Sequence, residues 1–296
     1  MHRDSPKPRA ANPPASARPE RLLRVAGLAA VSALFRHAPE RVVRLFYEAR
    51  RVPDVGDFCA RMAEFRRPYR RVDENELATI AGTLRHGGVV AVAEPQPERL
   101  LSAGDMIRRA CSGETWFVLD GVGNPHNVGA IARSLAFFGF KALVLSHHAL
   151  QAGLSDAAYR TAEGGLDCLE IFRVRTLPTW LRQIKPEYQV MGTALDRRGV
   201  SLQEIRDDGR PRVIVLGNEE TGLSLSTLEA SDVLLTLPGA VEIQSLNVAA
   251  TAAILAYAAS ERLGTGWQVR PSKKDPRRER GSIHRKRQVT ETHRRD

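Results

Sequence analysis

The sequence predicts an α/β protein in which a small α/β domain precedes a larger domain built on a parallel sheet. Three stretches carry this prediction: 118–140, 213–224 and 233–258. Each begins as a short apolar or β-branched strand, passes through a loop of polar residues and glycine, and continues as a helix. Strands that alternate with helices favour a parallel sheet, and the ligands of such sheets bind at the carboxyl ends of the strands.

The first domain is predicted over residues 22–95 of the 296-residue chain, whose length suits roughly two domains. Short helical and extended patterns alternate through this segment, which indicates a compact layered domain. The predicted elements are a strand that turns into a helix at Gly27 (24–36), a strand (42–47), a helix (56–65), a strand (70–72), a helix (74–84) and a strand (89–92).

This domain is rich in arginine, with aromatic residues placed between the arginines. Guanidinium and aromatic faces together suit RNA phosphates and unstacked bases, which favours RNA binding. In the alternative interpretation, the arginines are only solvated surface residues and the aromatic residues belong to the core. The residues in question are Arg41, Arg44, Arg50, Arg51, Arg61, Arg66, Arg67, Arg70, Arg71, Tyr47, Phe58, Phe65 and Tyr69.

A linker is predicted over 96–114, with a short helix at 98–111, and the second domain over 115–264. Its predicted strands are 116–119, 142–146, 169–174, 188–192, 213–216 and 233–237, and its main helices are 127–138, 155–163, 177–184 and 246–258. The Gly121-x-Gly123 pair is not a dinucleotide fingerprint, because the third glycine would fall on His126.

The two ends of the chain carry its whole net charge of +10, with +3 in residues 1–21 and +7 in residues 270–296. Segments 1–21 and 265–296 are therefore predicted to be disordered basic tails, which either contact RNA phosphates or serve only as solvated tails. The start has no apolar core typical of a secretory signal. Three widely spaced cysteines predict free thiols and a cytoplasmic protein.

The stretch 237–258 combines a polar loop with an apolar, alanine-rich helix. Ser245 is predicted to cap that helix, since its hydroxyl can accept a first-turn N–H group. The helix is too short to span a membrane, so no membrane association is expected. A buried helix with a polar N-terminus offers N–H groups and partial positive charge to a ligand, although an ordinary capped core helix has the same pattern.

Three motifs resemble those of the SpoU (TrmH) family of RNA ribose 2′-O-methyltransferases in the SPOUT superfamily. They are Asn127-x-Gly129-x-x-x-Arg133, Gly217-Asn218-Glu219-x-x-Gly222-Leu223, and Pro238 followed by Ser245-Leu246-Asn247-Val248. The first domain is similar to the ribosomal-protein-L30-like substrate-binding domain that often precedes this methyltransferase domain, through Gly27 and His86-x-Gly88-Val89-Val90-Ala91.

The resemblance implies a C-terminal trefoil knot, a homodimer, an RNA substrate (rRNA or tRNA) and S-adenosylmethionine as cofactor. The implied cofactor-binding residues are Leu216, Gly217, Asn218, Gly222, Leu237, Ile243 and Leu246. No metal is expected, because methyl transfer from a sulfonium requires none.

The resemblance also implies the catalytic residues. Arg133 would orient a phosphate and stabilise the developing alkoxide, because a free guanidinium is a poor base unless a strong local field makes it a better one. Asn127 would position Arg133 or the ribose, Glu219 would hold the loop or the cofactor, and Ser245 and Asn247 would hold the ribose or the methionine end. His126 lies outside the motif, and it is either a loop residue or a participant in the chemistry.

The alternative is a non-catalytic RNA-binding or ribosome-assembly relative that keeps the fold. Gly239 stands where the family usually has Met, and Val241 where it usually has Gly. These two departures favour the alternative, whereas the intact motif residues favour the enzyme.

Overall fold

The computed structural model describes residues 22–195, 199–239 and 245–262. Two sheets follow one another along the chain, one of four strands and one of seven. The predicted tails lie outside the described residues, as do Val241 and Ile243.

The first sheet has the strand order β1-β4-β2-β3, and β4 pairs antiparallel with both β1 and β2, whereas β3 pairs parallel with β2. Apolar residues make β4 the buried centre, and β3 is an exposed edge. The strands are β1 (Leu23–Ala26), β2 (Val42–Tyr47), β3 (Tyr69–Arg71) and β4 (Val89–Ala93), and the helices are α1 (Leu28–His37), α2 (Gly56–Glu64) and α3 (Glu74–Ala81).

The second sheet is parallel throughout, as predicted, with the strand order β11-β9-β10-β6-β7-β8-β5. All its carboxyl ends therefore lie on one edge. The strands are β5 (Glu98–Leu100), β6 (Trp116–Asp120), β7 (Ala142–Ser146), β8 (Glu170–Val174), β9 (Gln189–Thr193), β10 (Arg212–Gly217) and β11 (Val233–Leu235). The helices are α4 (Ala103–Arg109), α5 (Pro125–Phe137), α6 (Asp156–Ala162), α7 (Leu177–Ile184), α8 (Leu225–Ala230) and α9 (Val248–Arg262).

Strand β5 differs from the prediction, which placed the start of a helix at residue 98. The helix α4 begins only at Ala103, where Ser102 accepts a hydrogen bond from the Asp105 N–H. Residues 98–100 instead pair with β8 at the edge of the sheet. Three residues are too few to display a strand period, so the sequence alone gave no signal for this strand.

The start of α9 also differs from the prediction. Asn247, not Ser245, caps the helix, because its Oδ1 accepts a hydrogen bond from the Ala249 N–H at 2.8 Å. The helix buries a face of small and apolar residues, namely Ala252, Leu255, Ala256 and Ala259. The opposite face leaves Ile254 40% and Tyr257 54% exposed, so the part of the chain that the structure describes covers α9 only partly.

The two sheets are joined by a buried polar cluster around Arg41, whose side chain was predicted to lie among the RNA-facing arginines. Its Nη1 lies 2.7 Å from Asp167 Oδ1, and its Nη2 donates to the hydroxyl of Tyr159 at 3.0 Å. Asp167 and Tyr159 both belong to the second domain. Arg41 is therefore a junction residue, and its interpretation as an RNA contact is wrong.

Candidate active site

A cleft of about 860 Å³ opens at the carboxyl ends of β9, β10 and β11, beside the start of α9. Its volume lies in the range of about 300–1,000 Å³ typical of small-molecule sites. The lining residues come from neighbouring segments, namely 193–195, 216–220, 222, 235–239, 245–248, 251 and 255.

Most of the predicted cofactor-binding residues lie in the walls of this cleft. They are Leu216, Gly217, Asn218, Gly222, Leu237 and Leu246. The seventh, Ile243, lies outside the described residues. Of the predicted catalytic residues, Glu219, Ser245 and Asn247 also line the cleft.

The carboxylate of Glu219 holds the loop that follows β6. It accepts hydrogen bonds from Asn127 Nδ2 at 2.7 Å, from the Gly123 N–H at 3.0 Å and from the Asn124 N–H at 3.3 Å. Burial alone would raise the pKa of Glu219, but these hydrogen bonds outweigh it and keep the pKa below its ordinary value. The side chain is therefore ionised at neutral pH.

Asn127 extends this connection to the third motif. Its Oδ1 accepts a hydrogen bond from Asn247 Nδ2 at 3.1 Å, while its Nδ2 is engaged by Glu219. Since Asn247 also caps α9, one hydrogen-bonded chain runs from the loop after β10, through the start of α5, to the start of α9. The three sequence motifs thus meet at one end of the cleft.

Asn218 and two glycines shape the floor of the cleft. Asn218 Nδ2 donates to the Gly121 carbonyl at 2.7 Å, and its Oδ1 accepts from the N–H groups of Glu220 and Thr221. Gly222 closes this turn with φ +70°, a conformation that favours glycine. A Cβ on Gly217 would lie 2.5 Å from the carbonyl carbon of Gly222, so only glycine permits this close turn.

Among the residues that the structure describes, Arg133 does not join this cluster. It lies six residues beyond Asn127 on α5, which is about 9 Å along the helix axis and about 240° around it. Its Nη1 lies 2.9 Å from Glu163 Oε1, and both side chains are about half exposed. His126 also points away from the cluster, since its Nδ1 contacts the hydroxyl of Thr161 at 2.9 Å. The catalytic roles of the motif residues stay predictions.

Sequence reasoning missed one wall of the cleft, residues 193–195, which are the last residue of β9 and the two residues after it. Thr193 donates a hydrogen bond to the Val215 carbonyl, and Thr236 donates one to the Ala194 carbonyl, so this segment is fixed between β10 and β11. A local sequence pattern does not show which parallel strands are neighbours in the sheet, so it could not place β9 beside the cleft. The one available signal was that Thr193 lies at the carboxyl end of a strand, where ligands of such sheets bind.

Within the described ranges, no three His, Cys, Asp or Glu side chains lie close enough together to hold a metal ion. In the same part of the chain, every helix is too short or too polar to cross a membrane.

Two family models match the chain. Residues 114–257 match the SpoU rRNA Methylase family, and residues 24–99 match the model described as RNA 2′-O ribose methyltransferase substrate binding. The two matches fall on the seven-stranded and the four-stranded sheet, respectively, except that the second also includes the start of β5.

Individual relatives agree with these matches. The chain is 33% identical to the 23S rRNA (guanosine-2′-O-)-methyltransferase RlmB of Bordetella pertussis, over 79% of this chain and 94% of that protein. It is 30% identical to an uncharacterized tRNA/rRNA methyltransferase of Haemophilus influenzae, over 79% of this chain but only 65% of that longer relative.

A solved structure shares the fold. The AdoMet-bound rRNA methyltransferase from Sinorhizobium meliloti matches 82% of this chain and 88% of its own, with a TM-score of 0.68 and 26% identity. The motif residues, the parallel sheet and the comparisons agree with one another, and the predicted resemblance is confirmed: the chain belongs to the SpoU rRNA methylase family.

Proposed function

We propose that this protein transfers a methyl group from S-adenosylmethionine to a ribose 2′-hydroxyl of ribosomal RNA. The observation that carries the proposal is the hydrogen-bonded chain Glu219–Asn127–Asn247, which joins three motif loops beside a cleft of ligand size. The names of the relatives favour ribosomal RNA as the substrate class. The reaction belongs in the cytoplasm, in keeping with three cysteines that form no disulfide.

The cleft suits a nucleoside cofactor. Apolar side chains such as Leu216, Leu237 and Leu246 line it, and the close turn from Gly217 to Gly222 brings backbone groups to its surface. A mostly apolar pocket with a few placed polar groups is typical of cofactor sites. When bound, S-adenosylmethionine supplies a methyl group on a positively charged sulfur.

The chain's own residues then have separate tasks. Glu219 keeps the loop after β6 in place, and Asn127 and Asn247 fix the start of α5 against the start of α9. Ser245 lines the cleft next to Asn247, and its task in this proposal is to contact the ribose or the methionine end. Arg133 provides the positive charge for a phosphate and for the developing alkoxide.

The first domain is proposed to hold the RNA through its exposed edge. Strand β3 presents Tyr69, Arg70 and Arg71 to solvent. The Arg70 guanidinium lies 5.5 Å from the ring centre of Phe46, and Arg67 lies 5.5 Å from that of Phe65. Guanidinium and aromatic faces side by side suit phosphates and unstacked bases.

Calorimetric titration with S-adenosylmethionine, followed by methylation of rRNA from cells that lack the gene, tests this function. We expect saturable cofactor binding and a new 2′-O-methyl group at a defined nucleotide. Cofactor binding without transfer to rRNA or tRNA, or RNA binding without cofactor, would favour the non-catalytic relative.

We also propose that the protein acts as a homodimer, with α5 and α9 at the interface. Phe137 is 67% exposed, Tyr257 54% and Ile254 40%. The ring of Phe138 lies 5.2 Å from that of Phe137 and 5.9 Å from that of Tyr257, so the patch is continuous across the two helices. A contiguous exposed apolar patch is typical of an interaction site.

Light scattering should give the mass of two 32.7 kDa chains. Phe137→Glu should yield a folded monomer, because a charge would be buried without a partner at the interface. Leu84→Glu is the matched control, since Leu84 is 85% exposed in the first domain. A wild-type monomer at micromolar concentration, or a dimer that survives Phe137→Glu unchanged, would contradict this arrangement.

A further inference from the structure

Arg133 and Glu163 form an ion pair that stability does not explain. Nη1 and Oε1 lie 2.9 Å apart, with the side chains 56% and 51% exposed. An exposed pair of this kind contributes at most about 1 kcal/mol and is screened by salt. The effect of the pair to consider is therefore the position that it gives to the Arg133 guanidinium.

Glu163 is held in an unusual backbone conformation. It ends α6 with φ +46°, in the left-handed region, where a residue other than glycine costs about 1–3 kcal/mol. Asn or Gly is the ordinary choice at such a helix end. A strained glutamate that persists at this position, next to a predicted catalytic residue, indicates a role for its carboxylate.

The two glycines that follow fix this turn against both domains. A Cβ on Gly165 would lie 2.7 Å from Arg133 Cα, so the turn packs directly on the backbone of α5. A Cβ on Gly164 would overlap the Cβ of Ala33 on α1, in the first domain. The Glu163 carboxylate is thus presented to Arg133 by a segment wedged between the substrate-binding domain and the helix that carries Arg133.

The contact leaves part of the guanidinium open. A guanidinium carries five N–H donors in a planar fork, and Nη1 is the nitrogen of Arg133 that lies closest to the Glu163 carboxylate. Among the described residues, no hydrogen bond engages the edge formed by Nε and Nη2. That edge can take two oxygens of a phosphate at once, which is the geometry that arginine favours.

We propose that Glu163 is a positioning residue for Arg133, which its carboxylate holds with the Nε–Nη2 edge turned toward a backbone phosphate of the substrate RNA. This inference rests on the proposed function. It adds a residue outside the three motifs, and it connects the placement of Arg133 to the docking of the first domain.

The test compares Glu163→Gln and Glu163→Gly with wild type, in single-turnover methylation at saturating cofactor. Each should lower the rate about 10-fold. This loss is larger than the few-fold effect of losing an exposed ion pair, and smaller than the ~10²-fold loss of rate caused by misplacing a catalytic group by 1 Å. Glycine relieves the left-handed strain, so Glu163→Gly should melt at the same or a higher temperature while it reacts more slowly. Affinity for S-adenosylmethionine should not change.

A double-mutant cycle separates positioning from a structural role. In the Arg133→Ala background, Glu163→Gln should change the rate by less than about twofold, because the group that it positions is gone. Glu170→Gln is the matched control, since Glu170 pairs with Arg99 at the opposite, amino-terminal edge of the sheet.

Three outcomes would overturn this inference and leave the proposed function standing. They are wild-type rates in both Glu163 variants, a higher rate because Glu163 competes with phosphate, or a Glu163→Gln variant that loses the same factor in rate with and without Arg133. A wild-type chain that methylates no RNA would overturn the proposed function, and this inference with it.

Discussion

Arg133→Ala is expected to lower the single-turnover methylation rate at least ~10²-fold, the usual effect of deleting one preorganised electrostatic donor. Arg133 is exposed on α5, and its only ion-pair partner among the described residues is the half-exposed Glu163, so no buried charge is left unpaired by the change. Folding should therefore be nearly unaffected. Affinity for S-adenosylmethionine should also be preserved, because Arg133 is not among the residues that line the cleft.

Two further variants sharpen this prediction. Arg133→Lys should restore little of the rate, since lysine keeps the charge but lacks the planar fork that grips a phosphate at two points. Arg182→Ala, at another exposed helix position, is the matched control and should retain the wild-type rate. Near-wild-type rates in Arg133→Ala would remove Arg133 from the mechanism and direct attention to Ser245 and Asn247.

The sequence predicted the central strands of the larger sheet well because they are buried. Strands β6 and β10 read as continuous apolar runs, and each ends at a polar or glycine residue that begins a loop. The same loops carry the motif residues, so the position of the site at the carboxyl edge followed from the local pattern.

The contacts that assemble the site were not predictable in the same way. Asn127 and Asn247 lie 120 positions apart, and nothing local indicates that their side chains meet. Ser245 was predicted to cap α9, but Ser and Asn both serve as caps, and only the path of the chain decided for Asn247. Arg41 resembled the surrounding surface arginines in sequence. Its buried partner Asp167 lies 126 positions away, so the residues next to Arg41 do not indicate that it is buried.

Arg41→Met is expected to lower the free energy of unfolding by about 3–5 kcal/mol, the usual effect of removing one partner of a buried ion pair. The Asp167 side chain is fully buried, and its Oδ2 has no hydrogen-bond partner among the described residues. Arg41 also donates to the Glu94 carbonyl at 2.9 Å and to the Tyr159 hydroxyl at 3.0 Å. Its removal takes these donors from the Asp167 carboxylate and the Glu94 carbonyl at the junction of the two domains, whereas the Tyr159 hydroxyl keeps its hydrogen bond to Gln96 Oε1 at 3.3 Å.

The pH dependence of this loss identifies its cause. Burial raises the pKa of Asp167 above its ordinary value, although the charge of Arg41 and its hydrogen bond act to lower it. A raised pKa in the folded state means that the folded protein tolerates the protonated acid better, so stability is lost as pH rises through that pKa. Without Arg41 the pKa rises further, and urea unfolding of Arg41→Met should show a smaller loss at pH 5 than at pH 8.

The double variant Arg41→Met/Asp167→Leu is the decisive comparison. When both charges are replaced by apolar groups of similar volume, the unfolding free energy should return to within about 1–2 kcal/mol of wild type, because no buried charge remains unpaired. The Arg61→Met change, at an exposed arginine paired with Glu64, is the matched control and should cost less than about 1 kcal/mol. A double variant as unstable as Arg41→Met would show that the shape and hydrogen bonds of Arg41, rather than its charge, hold the two domains together.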